Sequence, residues 1–325
     1  MTILVTGDIH LNDLPRDSYR HKFMEWLIEQ CRKLKIEKII LLGDICEEKD
    51  HHGAWIVNQV VDYIDQLSQH SDVLILRGNH DYISEDVPFF KFTDALRNVR
   101  WINQPLLTNL SCGISLFLPH TNNYKKANWP LKQKCDFVFA HQTFQGADVG
   151  ARKLDGIPLS IFRKDARIIS GDIHVPQTIG NLTYVGAPYT VDFGDNYKGR
   201  VLLIDGDKVK SIPYDGPQKR LIEVKSFSDI KSLEKTGARK GDILKFRINV
   251  KQAQYDEWDA IKTDIRRWGD ENGYNIEIVQ PAVQMLPRTQ IKQSSVKDDK
   301  ALLEAFVKRV DASKETLATG LRILS

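Results

Sequence analysis

Five short stretches of this 325-residue chain carry side chains that bind metals or move protons. They are Asp8-Ile9-His10, Gly43-Asp44, Gly78-Asn79-His80-Asp81, Ala140-His141 and Gly171-Asp172-Ile173-His174. Each follows an apolar, β-type run, so each is expected where a strand becomes a loop. Hydrolysing a phosphodiester at neutral pH needs a nucleophile made from water, neutralised phosphoryl charge and a stabilised leaving oxygen. Two divalent cations about 3.5–4 Å apart can supply the first two. Such a pair needs a bridging carboxylate and a mixture of His, Asp and Asn ligands. Oxygen and imidazole ligands without thiolate favour manganese, iron or zinc in an open site over a closed structural zinc site.

The set is present. Asp8 and His10 alternate on what reads as one extended segment, so both are expected on the same side. Asp44 can bridge, Asn79 offers a neutral oxygen, and His141 and His174 follow or flank later strands. Gly7, Gly43, Gly78 and Gly171 precede ligand positions, where the backbone must pass close to the cations without a Cβ in the way. Asp-x-His or Gly-Asp alone is an ordinary strand end or turn. Their conjunction, in order and each behind an apolar run, points to a bimetal phosphoesterase site.

Positioning these residues requires a particular order of elements. Ile3-Leu4-Val5, 38–42 and 73–76 read as buried strands. Between them, Phe23, Trp26, Leu27, Cys31 and Leu34 mark a helix over 18–35, and Ile56, Val60, Ile64 and Leu67 mark a second. A β-α-β-α-β run of this kind gives a parallel sheet with helices on its face. Short strands then follow at 114–118, 137–140, 167–170, 182–185, 201–204 and 209–213 with little helix between them, which predicts a second sheet stacked on the first. The segment 142–160, with Gly146, Gly150, Gly156 and Pro158, reads as a mobile surface loop. After Asp215-Gly216-Pro217, Leu244, Phe246, Ile248 and Val250 alternate with Lys245, Arg247 and Asn249. Trp258, Ile261, Ile265 and Trp268 form a helical stripe, and 276–279 is another strand: a small β-α-β unit. Residues 287–298 read as a polar linker. Two short helices are expected within 299–325, carrying Leu302, Phe306 and Val310, then Leu317, Leu321 and Leu324.

The fold class is therefore α/β: two stacked sheets flanked by helices, with a small β-α-β domain and C-terminal helices. The domains divide as 1–215, 216–286 and 287–325. Residues 216–325 carry 21 Lys and Arg against 16 Asp and Glu, while residues 1–215 carry 25 against 27. The basic C-terminal part suits a polyanionic partner. Cys31, Cys46, Cys112 and Cys135 are scattered and read as reduced thiols. With no stretch of membrane-spanning length and nothing like a signal peptide, a cytoplasmic protein is expected, in the host cytoplasm if phage-encoded.

The order Asp-x-His, Gly-Asp, Gly-Asn-His-Asp, His, Gly-x-x-His resembles the calcineurin-like metallophosphoesterase superfamily. Within it the chain looks most like the SbcD-type DNA nucleases. Asp172-Ile173-His174-Val175-Pro176-Gln177 looks like their Gly-His-x-His-x-Pro-Gln signature. Tyr184-Val185-Gly186-Ala187-Pro188, with Asp192-Phe193-Gly194-Asp195, looks like their Tyr-x-Gly-Ser-Pro and Phe-Gly-Glu stretches. The resemblance is strong over residues 1 to 215. It implies a manganese-dependent nuclease of repair or recombination, a homodimer, with an SbcC-like coiled-coil ATPase as partner. On this resemblance Asp8, His10, Asp44 and His174 hold one cation, with Asp44 bridging to a second held by Asn79 and His141. His80 is implied to act beside the scissile phosphate. Asp81, grouped with His80 and Asp44 as catalytic, is expected to orient its loop. Two positions depart from the pattern. Asp172 replaces the first His of Gly-His-x-His, and would bind the second cation through a harder, charged oxygen. Glu47 stands three residues after Asp44, able to reach His80 or face solvent.

Other positions read more plainly. His51, His52 and His120 are expected in loops. Lys125, Lys126 and Trp129 suit base stacking and phosphate binding, though a surface loop explains them as well. Arg152, Lys153, Arg163, Lys245 and Arg247 could meet a phosphate backbone or simply be solvated. Two rival functions share the same residues. A phosphatase or small-molecule phosphodiesterase needs only the metal site. A binding or scaffold subunit with a degenerate site is the reading that Asp172 motivates.

Overall fold

The computed structural model describes residues 2–84, 87–150, 152–224, 238–249, 257–282, 303 and 307. The chain divides into a unit spanning Met1–Pro281 and a second spanning Ala282–Ser325. The expected linker and terminal helices lie outside the described residues, apart from Leu303 and Val307.

The first unit opens with β1 (Thr2–Thr6), α1 (Tyr19–Leu34), β2 (Lys38–Leu41), α2 (Ala54–Ser68) and β3 (Asp72–Leu76). A hairpin of β4 (Tyr82–Ser84) and β5 (Val87–Pro88) precedes β6 (Val99–Ile102), β7 (Leu106–Leu110), β8 (Gly113–Leu118) and β9 (Phe137–His141). Then come β10 (Arg167–Gly171), β11 (Gln177–Ile179), β12 (Leu182–Tyr184), β13 (Arg200–Asp205) and β14 (Lys208–Pro213). One six-stranded sheet runs β14-β13-β1-β2-β3-β6 and another β11-β12-β10-β9-β8-β7. β1, β2, β3 and β6 are mutually parallel, as are β8, β9, β10 and β12.

Burial on both faces explains why the centre of β1, Ile3-Leu4-Val5, is apolar without a break. Ile3 and Val5 face the second sheet, in a cluster with Ile40, Leu76, Phe117, Phe139 and Ile169. Leu4 faces the other way, into a cluster with Phe23, Leu27, Ile56 and Ile64 from the two helices. Strands buried on both faces lose the polar alternation of half-exposed ones. Two stacked sheets are as expected, with helices covering the first, but the strands at 201–204 and 209–213, read with the second sheet, instead extend the first as β13 and β14, β13 pairing antiparallel with β1.

The outer face of the second sheet is covered differently. Val138, Ala140, Ile168 and Tyr184 pack against Phe144, Ala147, Ile157 and Phe162. The segment read as a mobile surface loop thus buries Phe144, Ala147 and Ile157, and is closed by bridges Phe144↔Ile157 and Asp148↔Lys153. Its glycines drew the sequence reading toward a loose loop, while its Phe and Ile side chains decide its place.

The small module has one strand more than expected. β15 (Lys219–Val224) pairs in parallel with β16 (Ile243–Asn249), and β17 (Asn275–Ala282) flanks β16 on the other side. α3 (Trp258–Asn272) packs Ile261, Ile265 and Trp268 with Leu244, Phe246 and Ile248. The module is joined to the larger core through Ile243, and through Lys219, whose Nζ lies 3.1 Å from Asp17.

Candidate metal centre

All five motifs emerge at the carboxyl ends of parallel strands: β1, β2 and β3 in one sheet, β9 and β10 in the other. The register Gly171↔His141 sets the last two side by side. Loops at this edge are where open parallel sheets build their sites.

The backbone there is strained in a telling pattern. Among the described residues seven non-glycine positions have positive φ, and four of them are Asp8, His10, Asp44 and Asp172. Each costs on the order of 1 kcal/mol or more, a cost that clusters at functional sites. Asp8 and His10 therefore do not share a side by strand alternation. Left-handed turns at both residues bring them together. Close approach also accounts for two glycines. A Cβ on Gly43 would sit 2.5 Å from the Gly78 nitrogen, and one on Gly78 would sit 2.2 Å from Asp44 Oδ1.

Among the described residues three groups of potential ligand atoms result: Asp8, His10 and His174; His10, Asp44 and His80; Asp8, Asp44 and His141. Asp44 Oδ2 lies 3.7 Å from His10 Nε2 and 3.4 Å from His141 Nε2, between the two sides. Nε2 of His10 and Nε2 of His174 face each other at 3.1 Å. Two nitrogens bound to one cation at about 2.1 Å would be separated by about that distance. His141 Nδ1 is 2.6 Å from the Leu42 carbonyl, so it donates there and turns Nε2 toward the Asn79 Oδ1 at 2.8 Å. With Asp44 also near, three electron-rich atoms converge, which requires positive charge between them. The second nitrogen tied to a carbonyl is the usual support of a metal-binding imidazole.

The electrostatics agree with residues that fit divalent cations. Asp8 Oδ2 and His10 Nδ1 are buried without hydrogen-bond partners. Burial pushes the Asp8 carboxyl up to about 6, against the pull of His141 and His174. Burial also drives His10 well below the usual histidine range, to the neutral form a ligand requires. Burial opposes ionisation of Asp44, yet His141, His10 and His80 hold it well below the usual carboxylate range. Burial disfavours a charged His141 too, but Asp44, Asp8 and Asp172 outweigh it and raise its pKa. That added proton is one way to provide the positive charge this cluster needs.

The remaining candidates take distinct places. His80 donates its backbone N–H to Asp44 Oδ1 at 2.8 Å, its Nδ1 is tied to the Glu47 carbonyl, and its ring packs edge-on to His10 at 4.9 Å. Asp81 is fully buried behind the ligands. Its two oxygens accept from the N–H groups of Asp44, Ile45 and Gly78 at 2.7–3.1 Å, fastening two ligand loops together. Asp172 places Oδ1 3.9 Å from His141 Nε2, while Thr143 Oγ1 donates to its Oδ2 and its N–H reaches Asp8 Oδ1 at 2.9 Å.

Several supporting roles escaped the sequence reading. Arg20, buried in α1, donates to the His10 carbonyl and to Glu47 Oε2 at 2.7 Å, with Asp17 at 3.6 Å. Its signal was present: position 20 falls on the stripe of Phe23, Met24, Leu27 and Cys31. The Tyr189 hydroxyl donates to the Ile9 carbonyl. The Tyr184 hydroxyl accepts from Phe144 N–H at 2.7 Å and donates to the Gln142 carbonyl at 3.1 Å, bracing the chain beyond His141. His120 lies with its ring 6.1 Å from that of His141, and lines a cleft with Asn79 and Asp172.

Other positions fall to packing or surface pairing. Trp129 stacks toward Phe162, His52 lies 3.9 Å from the Phe89 ring, Arg163 pairs with Asp165, and Arg247 pairs with Glu223. The two signature stretches clasp each other. The Ala187 N–H donates to the His174 carbonyl at 2.9 Å, and Gly186 leaves room for Pro176.

A family model for calcineurin-like phosphoesterases matches residues 1–176, the span from β1 through the last histidine motif. The chain belongs to this family. It is accordingly a phosphoester hydrolase whose clustered Asp and His residues could hold divalent metal. The chain is 28% identical over 266 residues to "Putative phosphoesterase 244L" of Invertebrate iridescent virus 6, covering 71% of this chain and 88% of that one. It is 23% identical over 270 residues to the SbcD component of the SbcCD nuclease of Escherichia coli K12, covering 65% of this chain and 67% of the other. A solved phosphoesterase from E. coli, Yfce, aligns with a TM-score of 0.37 at 14% identity, over 65% of this chain and 92% of that one. No described helix is long and apolar enough to cross a membrane.

Proposed function

We propose that the protein is a manganese-dependent DNA nuclease that cuts phosphodiester bonds through a two-metal site. The observation that carries the reading is the position of Asp44 between two ligand groups that share its carboxylate. Asp8, His10, Asp44 and His174 would hold one cation, and Asp44, Asn79, His141 and Asp172 the other. Bound cations would supply Lewis acidity to the phosphoryl oxygens and acidify water for attack.

The chain's own residues do the rest. His80, anchored through Nδ1 to the Glu47 carbonyl, would in its protonated form deliver a proton from Nε2 to the leaving oxygen. Arg20 and Asp81 keep the loops in place. DNA as substrate is supported by the likeness to the SbcCD nuclease and by the basic balance of residues 216–325. In this reading residues 216–286 cap the site and guide DNA. Residues 287–325 dock onto an SbcC-like coiled-coil ATPase, and the nuclease acts as a cytoplasmic homodimer in repair or recombination.

The test is cleavage of linear double-stranded DNA with manganese, with and without a chelator. His80→Asn is expected to cut at least about 100-fold more slowly while retaining its metal. If no DNA is cleaved, alone or with the ATPase, while small phosphomonoesters turn over rapidly, the protein is a phosphatase instead.

A further inference from the structure

Beside the metal-binding groups lies a cleft of about 250 Å³, lined by Lys49, Asn79, Tyr82, Ile83, His120, Asn122 and Asp172. His80 takes no part in it. The two imidazoles flank the ligand cluster on different sides, His80 packing on His10 and His120 on His141.

His120 is held firmly there. Its backbone N–H donates to the Arg77 carbonyl at 2.9 Å, and Arg77 Nη2 donates to the His120 carbonyl at 2.6 Å. Its Nδ1 is 2.8 Å from the Tyr82 hydroxyl. The Arg77 guanidinium sits 4.4 Å over the Tyr82 ring, which makes that phenol a better donor. A hydroxyl donating to Nδ1 fixes the neutral imidazole with its proton on Nε2, the nitrogen left for the cleft. Lys49 adds a cation at the rim and Asn122 an amide, while Tyr82 and Ile83 give apolar wall. This is a donor-rich pocket with apolar sides, suited to an anionic group carrying an organic substituent.

Hydrolysis of a diester presents two ester arms to the enzyme. One leaves, and its oxygen needs the proton that His80 would give; the other stays on phosphorus and needs room elsewhere. We infer that this cleft receives the retained ester arm, with His120 Nε2–H donating to an acceptor on that arm that a phosphomonoester lacks, so that His120 selects phosphodiesters over phosphomonoesters. This deepens the proposed hydrolase reading and rests on the metal site and on His80, but it does not require that the substrate be DNA.

The test compares bis(para-nitrophenyl) phosphate with para-nitrophenyl phosphate, both with manganese. His120→Ala is expected to lower kcat/KM for the diester about tenfold, with the monoester nearly unchanged and bound manganese intact. His120→Gln, which keeps an N–H donor, should recover most of the diester activity. Tyr82→Phe, which frees the imidazole tautomer, should fall between. An equal loss on both esters, or no loss on either, would overturn the subsite while leaving the hydrolase reading standing. A wild-type protein that hydrolyses neither ester would overturn both. If His120→Ala does not fold, the Gln and Phe variants decide, since an unchanged diester-to-monoester ratio in both rejects the inference.

Discussion

The two sides of the metal centre are built by different means. The His10 side takes Asp8, His10 and Asp44 from loops of the first sheet and His174 from the second, and its turn is braced by a side chain, Arg20 donating to the His10 carbonyl. The side of Asp44, Asn79 and His141 also spans both sheets, but its imidazole is fixed by backbone, with His141 Nδ1 donating to the Leu42 carbonyl. A centre held by side chains can be loosened one residue at a time. A ring held by a main-chain carbonyl is loosened only by moving the strand end that carries it. Asp44 belongs to both and is where the difference ends.

Asp44→Asn should therefore do the most damage. It is expected to lower phosphodiesterase activity more than about 100-fold, beyond the loss typical of groups behind the ligands. Metal analysis should find fewer than two manganese ions per chain, and two ions retained would remove Asp44 as the bridge. His141→Ala should break one side only. Calorimetric titration with manganese is expected to keep one binding step and lose the other; loss of both would mean that the two sides are not separable. Arg20→Met tests the side-chain brace. Removing a buried guanidinium that satisfies a carbonyl and neighbours Asp17 should cost about 2–3 kcal/mol in urea unfolding, and should weaken manganese binding on the His10 side more than on the His141 side. Thr143→Val should do least. It frees one oxygen of Asp172, and a loss of manganese affinity of up to about 10-fold, confined to the His141 side, is expected. No change would argue that Asp172 is only a turn former.

The motif-bearing half of the molecule was readable from sequence because strands buried on both faces leave continuous apolar runs, and ligands at their ends leave a fixed order of Asp, Asn and His. Legibility ended where placement depends on contacts far apart in the chain. The cover formed by Phe144 and Ile157 could not be told from a loose loop, because glycines dominate local reading and burial is decided by the second sheet. Asp8 and His10 were placed together for the wrong geometric reason, since φ is invisible in residue types that adopt left-handed turns only under constraint. Arg20 and His120 were undervalued because what ties them to the site is the His10 carbonyl for one and the Tyr82 hydroxyl for the other, groups whose position the local sequence does not give. The extra strand β15 pairs with β16 across an intervening segment, which periodicity does not see.

The positions of the strand ends along the chain carry a consequence for how the protein is made. His10, Asp44 and His80 all lie within the first 80 residues, whereas His10 and His174 are separated by 164 positions. A chain emerging from the ribosome completes one ligand group long before the others, and folding generally proceeds from the N-terminal end during synthesis. In the proposed two-cation site, only a polypeptide whose last motif has arrived and docked would complete both ligand sets. The proposed nuclease would then begin to cut only after that motif has been made.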